Sequence, residues 1–149
     1  FSKRHLPIFA SRDWHPGETK HFKGFGGIWP PHCVQGTEGA DFHPDLNLRL
    51  VSTIISKGMD PEENAYSAFQ GFDDSGKSFE MLLLGRRVQS LFVGGLATDY
   101  CVKSSVLDAI RCDFVVFLLM DAIRGVNLNP TDSDKAISEM LKKGAFLVA

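Results

Sequence analysis

Apolar residues fall into short runs that alternate with stretches of helical spacing, a pattern of βα units and a parallel sheet. Leu6 to Ser11 and Val51 to Ser56 read as buried strands, the second ending at Lys57-Gly58. Between them, residues 12–48 are rich in Gly, Pro, His and aromatics, a long irregular segment of the kind that usually serves function. Residues 58–76 form a second long loop. Phe79 to Leu84 predicts a short helix, and Val88 to Val93 a third strand that runs into Gly94-Gly95. Thr98 and Asp99 are good N-cap types, and the helix they would open carries Val102, Val106, Ala109 and Ile110 on one stripe. Phe114 to Met120 predicts a fully buried fourth strand, after which Asp121-Ala-Ile-Arg-Gly reads as a loop. Thr131 to Lys143 predicts a last helix, with Ala136, Ile137, Met140 and Leu141 inward and Gly144 as its C-cap. Ala145 to Ala149 is a fifth strand. The fold class is α/β, an open and mostly parallel sheet with helices on both faces, with ligand chemistry expected at the C-terminal strand ends.

Composition changes this picture little. The 149 residues are 44% hydrophobic and 23% charged, with a net charge of -2, which suits one globular domain spanning 1–149. The charge balance offers nothing to nucleic acid or an anionic membrane, and the longest apolar run, Phe114–Met120, is far short of the roughly 18 residues of a membrane span. Cys33, Cys101 and Cys112 are too few and too widely spaced for a disulfide framework, which suits the cytoplasm. The chain starts at Phe1 on a charged stretch, Ser2-Lys3-Arg4-His5, which suggests a piece of something longer.

Candidate chemistry gathers in three places. Asp13 and His15 follow the first strand and share a face if the chain stays extended, so together they can take two sites on one metal ion. His21 and His32, in the loop beyond, can complete a shell suited by donor type to Zn²⁺, Fe²⁺ or Mn²⁺. The competing reading is a solvated histidine-rich loop with Asp13 capping a turn. His43 reads as a loop hydrogen-bonder. Cys101 stands at a strand-to-helix junction, where helix N-terminal N–H groups stabilise a thiolate and can hold an oxyanion. A buried cysteine acting as a small hydrophobe is the alternative there, and Cys33 and Cys112 read as structural. Lys57 is either an ordinary strand-end charge or the cation beside a thiolate. Trp29, Phe22, Phe25 and Tyr66 can wall a pocket for a flat ring or form a satellite core.

These residues occur in segments that resemble a known family. Arg-Asp-Trp-His (12–15), Trp-Pro-Pro-His-Cys-Val-Gln-Gly-Thr (29–37), Ala-Asp-Phe-His-Pro (40–44), Lys57-Gly58, Ala-Tyr-Ser-Ala-Phe (65–69) and Gly-Gly-Leu-Ala-Thr-Asp-Tyr-Cys-Val (94–102) are similar, in this order, to nicotinamidase/pyrazinamidase sequences among the isochorismatase-like cysteine hydrolases. The resemblance implies a Rossmann-like three-layer fold with a six-stranded parallel sheet. It implies hydrolysis of nicotinamide, or a pyrazinamide-like aromatic amide, to the acid and ammonia through a cysteine thioester, in NAD salvage. It makes Cys101 the nucleophile and Lys57 the lysine of an Asp-Lys-Cys triad. It makes Asp13, His15, His21 and His32 the ligands of one divalent metal, zinc foremost and iron or manganese as alternatives. It makes Ala97 and Cys101 the oxyanion-hole donors, with a cis peptide at Leu96–Ala97, and Trp29 and Tyr66 substrate contacts. A homo-oligomer is compatible with it. The triad aspartate lies in an Asp-x-Gln-x-Asp-Phe motif not found in these residues, and Phe1 to His5 would be the tail of the helix before the second family strand. The expectation is therefore a domain lacking the family's first strand and helix. Two alternatives remain: an isochorismatase-like hydrolase of another small amide or ether, and an inactive metal-binding fragment.

Overall fold

The structure, a computed structural model, describes residues 1–4 and 6–149. His5, part of the charged N-terminal stretch, lies outside the described residues. The chain resolves into two compact units, Phe1–Phe79 and Glu80–Ala149.

In the first unit, strands β1 (Phe9–Asp13) and β2 (Thr53–Lys57) pair in parallel, from Phe9 opposite Thr53 to Asp13 opposite Lys57. β1 therefore runs two residues past Ser11, the expected end. The register sets the Asp13 and Lys57 side chains side by side at the C-terminal end of the pair. The main chain stays extended for one residue more, with Trp14 N–H donating to Lys57 O at 2.8 Å. The core of this unit includes Phe22 and Ile55, both fully buried, with Phe79 packed edge-on against Phe9 and Phe69 at 5.2 Å from each. Residues 14–52 hold only short 3₁₀ turns and isolated bridges, as their composition predicts.

The second unit holds a three-stranded parallel sheet in the order β3 (Ser90–Leu96), β4 (Val115–Arg124), β5 (Phe146–Val148). Phe92, Phe117 and Phe146 line up across it, with ring centroids 4.8 and 5.6 Å apart. Helix α1 (Phe79–Gly85) begins at the boundary between the units. Helices α2 (Lys103–Arg111) and α3 (Asp132–Lys142) bury Val106, Ala109, Ala136 and Met140. Parallel strands with intervening helices make this an α/β protein, as expected. Among the described residues, no helix is long and apolar enough to cross a membrane.

Five local expectations are corrected. β4 does not end at Met120: past an irregularity between Val93 and Gly95, the residues read as a loop pair again, Gly95 opposite Ile123 and Leu96 opposite Arg124. Nor is that strand fully buried, because Val115 is exposed while Val116 and Leu118 are not. The stripe on α3 is narrower than predicted, with Ala136 and Met140 buried, Ile137 half-buried and Leu141 exposed. The C-cap of α3 is Lys143, and Gly144 follows it in the left-handed region at φ 113°. Neither Thr98 nor Asp99 caps a helix. One π-helical turn, Thr98–Val102, precedes α2, with Ala97 in the cap position and no side-chain cap.

Candidate active site

The first unit assembles its site around β1 and β2. His15, His21 and His32 each offer a ring nitrogen, and the three lie within 4.8 Å of one another. Their rings pack closely, His15 on His21 at 4.5 Å and His32 at 5.1 and 5.2 Å from the other two, with buried Phe22 against all three. Phe22 thus lies under the cluster rather than walling a pocket, and Phe25 is exposed.

Each imidazole is oriented from its outer nitrogen. Nδ1 of His15 lies 3.0 Å from Gly58 O, Nδ1 of His32 lies 2.8 Å from Pro30 O, and Nδ1 of His21 lies 2.6 Å from Asn64 Oδ1. A carbonyl oxygen only accepts, so Nδ1 carries the proton and Nε2 keeps the lone pair. His15 Nε2 is buried and has no hydrogen-bond partner. Burial holds His15 and His21 below the ordinary histidine pKa, so both rings stay neutral, the form that ligates metal. The nearby Asp13 carboxylate opposes that shift at both rings without reversing it. Neutral, converging imidazoles with an orphaned buried nitrogen fit a divalent metal.

Local chain path explains this geometry. Gly58 closes β2 at φ 69°, and a Cβ there would lie 2.4 Å from His15 Cε1. Only glycine lets the chain turn in the left-handed region and leave room for that ring. Gly27 allows a similar approach, since its Cβ would fall 2.1 Å from the His21 carbonyl oxygen.

Asp13 is placed beside the cluster, and its carboxylate accepts from the Lys57 ammonium, which is 3% exposed as a residue and also donates to Ala65 O at 3.0 Å. Lys57 is thus no ordinary strand-end charge. Trp29 and Tyr66 also come together, Trp29 Nε1 donating to the Tyr66 hydroxyl at 2.9 Å, with ring centroids 6.2 and 5.7 Å from His21. His43 is exposed and accepts from Asp45 N–H, as a loop hydrogen-bonder.

Ala97 and Cys101 belong to the second unit. The Leu96–Ala97 peptide is cis, as the resemblance implies. Ala97 O accepts from Tyr100 N–H at 3.1 Å and Val102 N–H at 3.0 Å, so the π-helical turn closes directly after β3 and sets half-buried Cys101 within it. Asp99, buried, receives Val126 N–H at 2.9 Å and Asn127 N–H at 2.8 Å, which fastens this turn to the loop after β4. Cys33, Cys101 and Cys112 form no disulfide among the described residues. Burial, then the Glu80 carboxylate, pushes the Cys112 thiol up and keeps it protonated.

Sequence reasoning did not find the Gly58 and Pro30 carbonyls, Asn64, or the role of Asp99. A carbonyl's direction carries no residue signature. Asn64, in Glu62-Glu63-Asn64-Ala65, belongs to no motif.

The first unit thus carries a lysine–carboxylate pair and a histidine cluster at the ends of parallel strands, and the second a cysteine on a strand-to-helix turn. The isochorismatase domain model matches residues 1–149, and the chain belongs to that family. It is 39% identical to the nicotinamidase of Escherichia coli over 158 residues, covering 94% of this chain and 73% of that one. The pyrazinamidase of Pyrococcus horikoshii in complex with zinc is 41% identical with a TM-score of 0.86, covering 99% and 78%. PnC1 from L. infantum in complex with nicotinate is 35% identical, also at 0.86, covering 95% and 71%.

Proposed function

We propose that the protein hydrolyses nicotinamide, and pyrazinamide-like aromatic amides, to the carboxylic acid and ammonia in NAD salvage, within the cytoplasm. The observation that carries this reading is the histidine cluster, because three imidazoles presenting unprotonated nitrogens beside Trp29 and Tyr66 suit a metal-assisted site for a flat, nitrogen-containing ring. His15, His21 and His32, with Asp13, would hold one divalent metal, zinc first, supplying a Lewis acid for the ring nitrogen.

The remaining chemistry belongs to side chains and main chain. Cys101 is the nucleophile. In the family's triad its thiol proton passes to the aspartate of the Asp-x-Gln-x-Asp-Phe motif, which is not among residues 1–149, and Lys57 is the cation. The thiolate adds to the carboxamide carbon, and the N–H groups of Ala97 and Cys101 hold the oxyanion. The carbon–nitrogen bond breaks as the aspartic acid protonates the leaving nitrogen, so ammonia departs and a thioester remains. Water, giving a proton to the same aspartate, adds to the thioester. The carbon–sulfur bond then breaks and the acid is released, regenerating Cys101. Trp29 and Tyr66 bound the ring.

The test is ammonia release from nicotinamide by the intact protein and by Cys101→Ala. Release by the parent and none by the variant supports the reading. Equal release by both overturns it.

A further inference from the structure

Among the three imidazoles, His21 alone has its outer nitrogen met by a side chain. His15 and His32 face main-chain carbonyls, which can only accept, so the path of the chain decides their tautomers. An amide side chain offers an acceptor at one end and donors at the other. Which nitrogen of His21 is protonated therefore depends on the end that Asn64 presents, and here that end is Oδ1, 2.6 Å from Nδ1.

We infer that Asn64 is a positioning residue for metal binding, holding the Nδ1 proton of His21 so that Nε2 keeps its lone pair within the cluster. This rests on the reading of the cluster as a metal centre. Turned the other way, the amide would donate to Nδ1, leave the proton on Nε2 and remove one of three nitrogen donors.

The chain around Asn64 is fastened to the neighbours of His21. Pro61 O accepts from Lys20 N–H at 2.8 Å and from the Thr19 hydroxyl at 3.1 Å, and Lys20 pairs with Glu62. Buried Thr19 in turn accepts His21 N–H at 3.2 Å. On the far side, the Lys57 ammonium donates to Ala65 O at 3.0 Å. Asn64 is thereby suspended between the residues before His21 and the lysine at the end of β2. It is itself exposed, so replacing it does not open the core.

The experiment compares the full chain with Asn64→Leu, which offers no hydrogen bond, and Asn64→Asp, which only accepts. Zn²⁺ affinity is read by competition with a chromogenic chelator, and the His21 tautomer by ¹⁵N NMR of the metal-free protein at about pH 8, where imidazoles are neutral. Asn64→Leu is expected to lower Zn²⁺ affinity by about 10–100-fold and to populate the Nε2–H form of His21, with His15 unchanged. Asn64→Asp is expected to keep near-parental affinity and the Nδ1–H form. Parental affinity in Asn64→Leu, or an Nε2–H ring in the parent, overturns the inference. A parent that takes up no Zn²⁺ overturns the metal-centre reading instead, and the His21 tautomer then decides the Asn64 hydrogen bond on its own.

Discussion

The two units position their candidate residues by opposite means. In the first, side chains do the work and the main chain aims them: three imidazoles converge because Gly58, Pro30 and Asn64 present oxygen acceptors behind them. In the second, the main chain carries one side chain: a π-helical turn directly after β3 holds half-buried Cys101, and Asp99 fastens the turn. Side-chain geometry of the first kind depends on tautomer and ring orientation, so it should respond to pH and to second-rank hydrogen bonds. Backbone geometry of the second kind should be insensitive to both.

The largest expected effect tests the second unit. Cys101→Ala should lower nicotinamide hydrolysis by about 10³-fold or more while leaving metal content at the parental level, as read by ammonia assay and elemental analysis of the same sample. Loss of metal in that variant would break the division between the two regions.

Next comes the reverse case. His15→Ala, or removal of metal with a chelator, should cost about 10²-fold or more in activity. Cys101 should keep its rate of alkylation by iodoacetamide, since nothing in its own turn has changed. Zn²⁺ added back should restore the chelated parent but not the variant.

Gly58→Ala sharpens the role of chain path. The new Cβ meets the His15 ring, and φ is 69°, so a cost of about 1–3 kcal/mol is expected. The melting temperature should fall and metal uptake should weaken, whereas a residue that only ended a strand would lower stability alone.

A smaller effect is expected with pH. Burial lowers the pKa of His15 and His21 below the unfolded value of about 6.5, so as pH falls below that value the unfolded chain binds protons first. The contribution of these rings to stability is fully present above about pH 6.5 and is lost as pH drops through their lowered folded values. Urea unfolding of the metal-free protein at about pH 7.5 and pH 5.5 should show the loss, and His21→Gln should reduce its size. An unchanged slope in that variant would count against neutral, buried rings.

The smallest effect separates the fastening from the chemistry. Asp99→Asn keeps one acceptor and loses the charge, so about 1 kcal/mol is expected from the two N–H bonds of Val126 and Asn127. Thermal unfolding should report it, with no change in Zn²⁺ affinity.

Much of this was legible in the order of residues. Short apolar runs and helical spacing located the five strands and three α-helices found among the described residues, with shifts of a few residues at their ends, because burial leaves its mark on the order of apolar residues. The family motifs singled out His15, His21, His32, Lys57 and Cys101 as candidates, because the chemistry that the resemblance implies demands particular side chains. What pattern did not reveal is where strand pairing resumes: Asp121 to Arg124 carries turn-like polarity, yet pairs with Gly95 and Leu96, because a ladder is a property of two strands and not of one.

The sequence by itself determined which atoms are available: imidazole nitrogens, a thiol, an ammonium, and the glycines that let the chain turn tightly. Only tertiary structure decided how those atoms are presented. The parallel register set Asp13 beside Lys57, and three loop segments brought oxygen acceptors to the outer nitrogens of the histidines. Burial then disfavoured the charged form of His15 and His21. A tautomer is chosen by the partner across a hydrogen bond, and Gly58 and Asn64 lie tens of residues from the rings they orient. No local pattern can specify a direction that the folded chain alone creates.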